Sequence, residues 1–431
     1  VIDINARFKE AIGWMEETDR NLFLTGKAGT GKSTLLEHFC QTTRKQPVVL
    51  APTGVAALNV KGQTIHRFFN FYIDTTPQKI RDKKVRPRDK RLYKELQTII
   101  IDEVSMLRAD LLDCIDVFLR MYGPDQTRAF GGVQMIFVGD LYQLPPVVST
   151  QERDIFSTHY QTPYFFSAHA LADFAMERVE LETVYRQKDK EFVSLLNRIR
   201  DNTVDAEGLS QLNRRHVALP VPPVEEFYIS LTTTNQKADE INDTHLQSLS
   251  GHMHHAAATI SGDFGKEYYP TATDLQFKLG AQVMLLNNDP KKRWVNGSVG
   301  VIEAVQKDAE GQSCVAIRLQ GNDKLVQVPA YSWEVYRFSL HENAIISEAV
   351  GTFTQYPFRL AWAITIHKSQ GKTFERVVID LGSGTFASGQ AYVALSRCTS
   401  FEGMILKTPI QKHHIRMDAR INEWLDDKSN K

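Results

Sequence analysis

At 431 residues, with 42% hydrophobic and 24% charged side chains, the chain has the composition of an ordinary globular protein with two or three domains. Net charge is zero from 51 basic and 51 acidic residues, which excludes a global field that would draw in nucleic acid. No apolar run approaches the roughly 18–20 residues of a membrane span, and the amphipathic, acidic opening at 1–20 does not read as a secretory leader. Cys40, Cys114, Cys314 and Cys398 stand far apart with no CxxC pair, which argues against a cysteine zinc site and a disulfide framework and favours a reducing compartment.

The first strand is expected at Leu22–Thr25, inside "NLFLTGKAGTGKSTLLEHF". It runs into G-x-x-x-x-G-K-S at Gly26–Ser33, followed by an amphipathic helix over Ser33–Thr43. That is the strand–loop–helix setting a phosphate-binding loop requires. The glycines let backbone N–H groups curl round the β- and γ-phosphates, Lys32 bridges phosphate oxygens, and the Ser33 hydroxyl can ligate Mg²⁺. A second strand at Pro47–Ala51 leads into "APTGVAALNVKGQTIHRFF" (Ala51–Phe69), whose small residues, hydroxyls and histidine suit close approach of a polymer backbone. Phe68, Phe69 and Phe71 fit either base stacking or core packing. The stretch Lys79–Lys94 carries nine Lys/Arg against two Asp, a solvated charged face or a phosphate-backbone contact.

The third strand, Thr98–Asp102, ends in "TIIIDEVSM". An apolar run that delivers adjacent carboxylates to a sheet edge suits a nucleotide site, with Asp102 holding Mg²⁺ through water and Glu103 polarising the attacking water. A helix is expected at Ala109–Met121 and a strand at Gln134–Gly139. The "LYQLPPV" that follows puts Asp140 and Gln143 beside the same phosphates, where a glutamine senses the γ-phosphate or orients water. Another helix is expected around Ser167–Phe174. A second α/β cycle then has helices at Glu191–Arg200, Asn235–Leu249 and about Gly389–Arg397, with strands at Phe227–Thr232 and Val377–Leu381. Between about Asp274 and Glu342, short strands separated by Asn/Gly and Asp/Gly turns read as a small antiparallel barrel. "HMHH" (His252–His255) and the histidines near His414 lack a partnered cluster and read as surface. Tyr331, Trp333 and Tyr336 at the barrel's end read as packing, with base stacking as the alternative.

Together with "LETVYRQ" (Leu181–Gln187), "EFVSLLNRIRDN" (Glu191–Asn202), "LTTTNQKADEIN" (Leu231–Asn242), "AWAITIHKSQGKTFERVVID" (Ala361–Asp380) and "AYVALSRCTS" (Ala391–Ser400), this resembles the PIF (petite integration frequency) family of superfamily 1B DNA helicases and its relative RecD. The resemblance covers nearly the whole chain, in order. It implies an α/β fold of two RecA-like domains around one ATP, with a small basic wedge inserted in the first and an SH3-like barrel in the second. The implied boundaries are 1–185 for the first domain with its wedge at about 70–94, 186–273 plus 343–431 for the second, and 274–342 for the barrel. It further implies ATP- and Mg²⁺-dependent translocation 5′→3′ along single-stranded DNA, with unwinding at single-strand/duplex junctions, by a protein that is monomeric on DNA and has no membrane partner. Quadruplex, forked and RNA–DNA hybrid substrates are compatible with it, as is a role in genome maintenance. A cytoplasmic bacterial enzyme is the expectation, or a nuclear or mitochondrial one for a eukaryotic core.

Carried over residue by residue, Gly26, Ala28, Gly29, Thr30, Gly31, Lys32, Ser33 and Thr34 would hold ATP with Gln143, Gln370 and Gly371. Arg186 and Arg397 would reach the γ-phosphate from the second domain, joining Lys32, Glu103 and Gln143 in catalysis. Thr53, Gly54 and His66, and across the hinge Thr232, Thr234, Thr365, His367 and Lys368, match DNA contacts. One departure stands out: the family's adenine-reading glutamine has no counterpart in "INARFKEAIGWMEE", where Asn5 is the nearest substitute. An RNA helicase and a DNA-stimulated remodelling ATPase remain alternatives.

A second Gly-Lys-Thr closes "IHKSQGKT" (Ile366–Thr373). A phosphate loop needs Gly where Ile366 stands, so this stretch is expected to link fuel and track rather than to hold a second nucleotide.

Overall fold

The computed structural model describes residues 4–72, 74–149, 152–217, 227–307, 311–320, 324–342, 344–382 and 384–427. Asn343, where the second domain is expected to resume, lies outside them. The first sheet contains β1 (Asn21–Gly26), β2 (Val48–Ala51), β3 (Gln63–Thr64), β4 (Thr98–Ile101), β5 (Gln134–Val138) and β6 (Met176–Leu181). All pair parallel, in the spatial order β3-β2-β4-β5-β1-β6. The central strands are continuous apolar runs because both faces are covered, and every residue of β4 and β5 is buried. Since β5 lies between β1 and β4, the carboxyl ends of all three deliver Gly26, Asp102 and Asp140 to one edge of the sheet.

Helix α1 (Ala6–Glu17) buries Phe8, Ala11 and Met15, one face at helical spacing. Helix α2 (Lys32–Thr42) starts inside the phosphate loop and packs Leu35, Leu36 and Phe39 against the same core. The second sheet is also parallel, with Ala363–Thr365, Ile229–Thr232, Val377–Asp380 and Met404–Leu406 side by side in that order.

An antiparallel ladder joins Leu325–Pro329, Ser313–Leu319, Val299–Lys307, Gln282–Leu285 and Phe358–Leu360. It encloses its own core, including Val283, Leu285, Val315, Ile317, Val328 and Phe358. Tyr331–His341 leaves this ladder and forms a long hairpin with Ala344–Gln355, so antiparallel structure runs past Glu342. The hairpin reaches the first α/β unit: Phe338 meets Phe68 edge-on at 6.0 Å, and Gln63 Nε2 donates to the Tyr336 carbonyl at 2.6 Å.

One expectation changes here, and one pair of alternatives is decided. The helix around Ser167–Phe174 is replaced by two 3₁₀ turns, Phe165–Ser167 and His169–Leu171. The Asp113 carboxylate accepts the N–H groups of His169 and Ala170, and the Thr162 and Ser167 hydroxyls pair at 2.6 Å, so local side-chain bonds outcompete a helix. Phe68, Phe69 and Phe71 are buried with Tyr93 and Phe118 in one aromatic cluster and are therefore core. Within the described residues no helix is long and apolar enough to cross a membrane.

Candidate active site

Gly29 (φ +81°) and Gly31 (φ +87°) bend the phosphate loop through left-handed conformations that a side chain would strain. Thr30 is buried and donates to the Lys27 carbonyl, which fixes the turn. Lys32 Nζ donates to the Gly26 and Lys27 carbonyls at 2.6 and 3.1 Å. Burial lowers its pKa, with Asp140 and Glu103 opposing.

Opposite the lysine, Asp102 sits at the end of β4. Burial and the neighbouring Glu103 push its pKa up to about 7. Burial also raises Glu103, the one residue of the pair in a left-handed conformation (φ +50°, ψ +44°). Such strain on a non-glycine residue persists only where the surroundings enforce it, and here it aims the carboxylate at the cleft. Gln143 Nε2 donates to Asp140 Oδ2 at 3.3 Å. The other Asp140 oxygen accepts from Arg200 Nη2 at 3.1 Å, an ion pair whose side chains are 0% and 7% exposed. Arg200 also lies 3.8 Å above the Tyr142 ring. The helix Lys190–Arg200 is thereby wired to the strand end that carries Gln143. Removing one partner of a buried ion pair strands the other charge, so Arg200→Ala is expected to lower unfolding free energy by about 3–5 kcal/mol in a denaturant titration. An unchanged midpoint would contradict it.

The second half supplies the far wall. Arg397 is 1% exposed and donates to the Val393 and Lys372 carbonyls and to Ser396 Oγ. Arg186 donates to the Ser396 carbonyl at 3.2 Å. Burial and the neighbouring Arg186 bring the Arg397 pKa down to about 9, and burial lowers Arg186 too. Gln370 Nε2 donates to Glu103 Oε2 at 3.0 Å across the cleft. The buried Tyr392 hydroxyl accepts the Ala28 N–H at 3.0 Å, which pins the phosphate loop to the second half.

These groups surround a cavity of about 450 Å³. Ala28, Gly29, Thr30, Gly31, Lys32, Ser33, Thr34, Asp102, Glu103, Gln143, Arg186, Gly371 and Arg397 all line it, as the sequence leads one to expect. Gly26 and Gln370 stand behind this wall, bonded to Lys32 and Glu103. Phe8, Gly139, Tyr185 and Thr373 line it as well, and sequence reading missed them. Phe8 was hidden as one more apolar residue of α1; Tyr185, directly before Arg186, could have been found from that motif. Asn5 caps α1, accepting the Phe8 N–H, and donates to the Tyr185 hydroxyl at 3.1 Å. Lys32, Arg186 and Arg397 face the cavity with no ion-pair partner among the described residues. Three unpaired cations, a loop of N–H groups and Ser33 beside Asp102 fit a nucleoside triphosphate with Mg²⁺.

The expected strand contacts are placed less uniformly. Thr53 and Thr234 spend their hydroxyls capping helices, and Thr232 is fully buried with its hydroxyl on the Thr234 carbonyl. Gly54 is buried beneath Glu267, whose carbonyl a Cβ would strike. Beside it, the Tyr268 hydroxyl bonds Thr64 at its N–H and Oγ1. His66 is half-buried and Thr365 buried; Thr365 Oγ1 accepts the Lys368 N–H, and Lys368 is exposed. His367 is half-buried and stacks on Phe386. His254 stacks on Phe277 and His255 pairs with Asp274, and no group of three metal-ligating side chains occurs among the described residues. Trp333 is buried in the core of the second half, while Tyr331 is 37% exposed.

"IHKSQGKT" follows the strand Ala363–Thr365, but a 3₁₀ turn and the strand Val377–Asp380 come next, with no helix to receive a phosphate. Gly371 and Thr373 instead line the cavity already described, and Gln370 stands behind its wall on Glu103.

A parallel sheet that presents a phosphate loop and paired carboxylates, faced by Arg186 and by Arg397 from beyond the helix Gln390–Leu395, defines a composite P-loop nucleotide site. The PIF1-like helicase family model matches residues 5–209. The ATP-dependent DNA helicase PIF1 of Mus musculus is 34% identical over 410 residues, 93% of this chain and 59% of that protein. The Bacteroides sp Pif1 structure in complex with ADP-AlF4 superposes with a TM-score of 0.90 at 33% identity, covering 99% of this chain and 97% of that one. The Bacteroides Pif1 structure bound to ssDNA gives 0.68 at 33% identity, with 98% and 96% covered. The chain belongs to the PIF1-like helicase family. It spans about three-fifths of the length of the mammalian relative it matches.

Proposed function

We propose that the chain is an ATP-dependent DNA helicase that translocates 5′→3′ on single-stranded DNA and unwinds duplex at junctions. The observation that carries this is the composite cavity, where Gln370, Arg186 and Arg397 of one half meet Lys32 and Glu103 of the other. Lys32 holds phosphate oxygens, and Glu103, held by Gln370, orients the attacking water. Mg²⁺, held by Ser33 and Asp102, would neutralise charge on the phosphates. Arg186 and Arg397 stabilise the transferring phosphoryl only while the halves are closed, which ties closure to nucleotide state. The relatives named for helicase activity, and the one solved with ssDNA, support DNA as the track.

In this reading the two parallel sheets are RecA-like motor domains, with divisions near 185, 274 and 342, and the antiparallel insertion is the SH3-like element. A strand reaches Thr53 and Gly54 once the Asp263–Tyr268 segment lifts off them. The basic segment at 79–94 is the wedge. Most of its cations are exposed, with Lys79, Lys84 and Arg91 paired to Asp74, Asp82 and Asp89. Reversing its charges should weaken DNA binding and flatten the salt dependence of the affinity. An unchanged slope would return it to a solvated face. Roles in genome maintenance and action on quadruplex or hybrid substrates are extensions of the same reading, as are action as a monomer and a cytoplasmic, nuclear or mitochondrial site.

The coupling residue is Gln370, two positions along the chain from Lys368 on the strand side. Gln370→Ala is expected to keep DNA binding but lose stimulation of ATPase by DNA; ordinary stimulation would refute it. The function itself is tested by ATP hydrolysis with and without single-stranded DNA or RNA of one sequence. Strong stimulation by DNA is the expected result. Stimulation by RNA alone would favour the RNA helicase, and none by either would remove the motor reading.

A further inference from the structure

We infer that Phe386 and His367 form an aromatic step on which a nucleobase of the translocating strand stacks. Phe386 is 60% exposed, with its ring open to solvent beside the half-buried His367. It has not been left out by a loose loop. Its N–H donates to Oε1 of the fully buried Gln390, and the preceding Thr385 is buried with its hydroxyl on the His414 carbonyl. The loop is thus held on both sides while the ring stays in water.

The neighbouring chemistry points to a nucleobase. The Phe386 and His367 rings lie parallel, 11° apart in tilt, with centroids 6.1 Å apart. Burial lowers the His367 pKa, so its ring is neutral at physiological pH and presents a flat π face. Lys368, next in the chain, is exposed by area, yet partial burial lowers its pKa first, half-buried Arg359 lowers it further as a like charge, and Asp239 opposes. Arg359 donates to the Pro270 carbonyl, and its Nε is buried without a hydrogen-bond partner. An exposed parallel aromatic pair beside under-neutralised cations is the arrangement that binds single strands, bases on rings and phosphates on cations. The inference rests on the DNA-tracking reading above and adds a contact of a different kind, one that carries no charge.

That difference supplies the test. Binding of the whole chain to a dye-labelled oligothymidylate is followed by fluorescence anisotropy across a salt series. Phe386→Ala is expected to weaken affinity roughly tenfold, as loss of one base–aromatic stack does. The slope of log Kd against log salt should stay at the wild-type value, because stacking releases no counterions. Phe386→Trp should bind like wild type, whereas Phe386→Leu, equally apolar but without a π face, should bind like the alanine variant. Wild-type affinity in Phe386→Ala or Phe386→Leu would overturn the step alone. A wild-type chain that does not bind the oligonucleotide would overturn the DNA-tracking reading, and the step with it.

Discussion

Arg397→Ala is expected to cut ATP turnover by roughly 10³-fold or more while leaving affinity for single-stranded DNA unchanged. The guanidinium lines the cavity from the second half, 1% exposed and without an ion-pair partner among the described residues. Its hydrogen bonds go to the Val393 and Lys372 carbonyls and the Ser396 hydroxyl, so it is aimed by backbone and not by a counter-ion. A cation kept in a low-dielectric site without compensation acts most strongly when negative charge develops beside it. Steady-state ATPase assays measure the loss, with anisotropy on single-stranded DNA as the control. Near-normal turnover would remove Arg397 from the finger role and leave it as a buried bracket for the Lys372 carbonyl.

Lys32→Ala is expected to abolish turnover. Among the described residues Lys32 Nζ bonds only the carbonyls of its own loop, Gly26 and Lys27, so its removal breaks no long-range hydrogen bond seen there. Its pKa is lowered by burial, the mark of a charge held at a cost that a phosphate group would offset. The variant should unfold at nearly the wild-type temperature and hydrolyse no ATP above background. Residual turnover within tenfold of wild type would contradict the assignment of this loop as the phosphate site.

The frame of the phosphate site was legible because its signals are local. G-x-x-x-x-G-K-S needs only a strand before it and a helix after it, and β1 and α2 supply both. The apolar run ending in Asp102-Glu103 likewise announces a buried parallel strand. What escaped the sequence was set by contacts far apart in the chain. Phe8 and Tyr185 meet at the cavity from opposite ends of the first unit, and the Tyr392 hydroxyl reaches Ala28 across 364 positions. The left-handed Glu103 has no sequence mark, since glutamate is not a residue that favours that conformation. Ser167–Phe174 failed for a local reason that sequence conceals: the competing acceptor, Asp113, lies 56 residues away from His169. Hydroxyls such as those of Thr53 and Thr232 were read as free for a strand, yet in this arrangement they cap a helix and bind a carbonyl.

The second Gly-Lys-Thr shows the same division. The absent first glycine could be read from Ile366, and it excluded a second phosphate loop. That Gln370 would donate to the Glu103 carboxylate could not be read, because the bond spans 267 positions.

The central claim is that this one composite site drives directional movement along a DNA strand. Unwinding of a duplex carrying either a 5′ or a 3′ single-stranded tail, with ATP and Mg²⁺, tests it most directly. The account predicts strand separation from the 5′-tailed substrate and none from the 3′-tailed one. Activity only from the 3′ tail would contradict the direction, and strong DNA-stimulated hydrolysis with no unwinding of either would make the chain a remodelling ATPase.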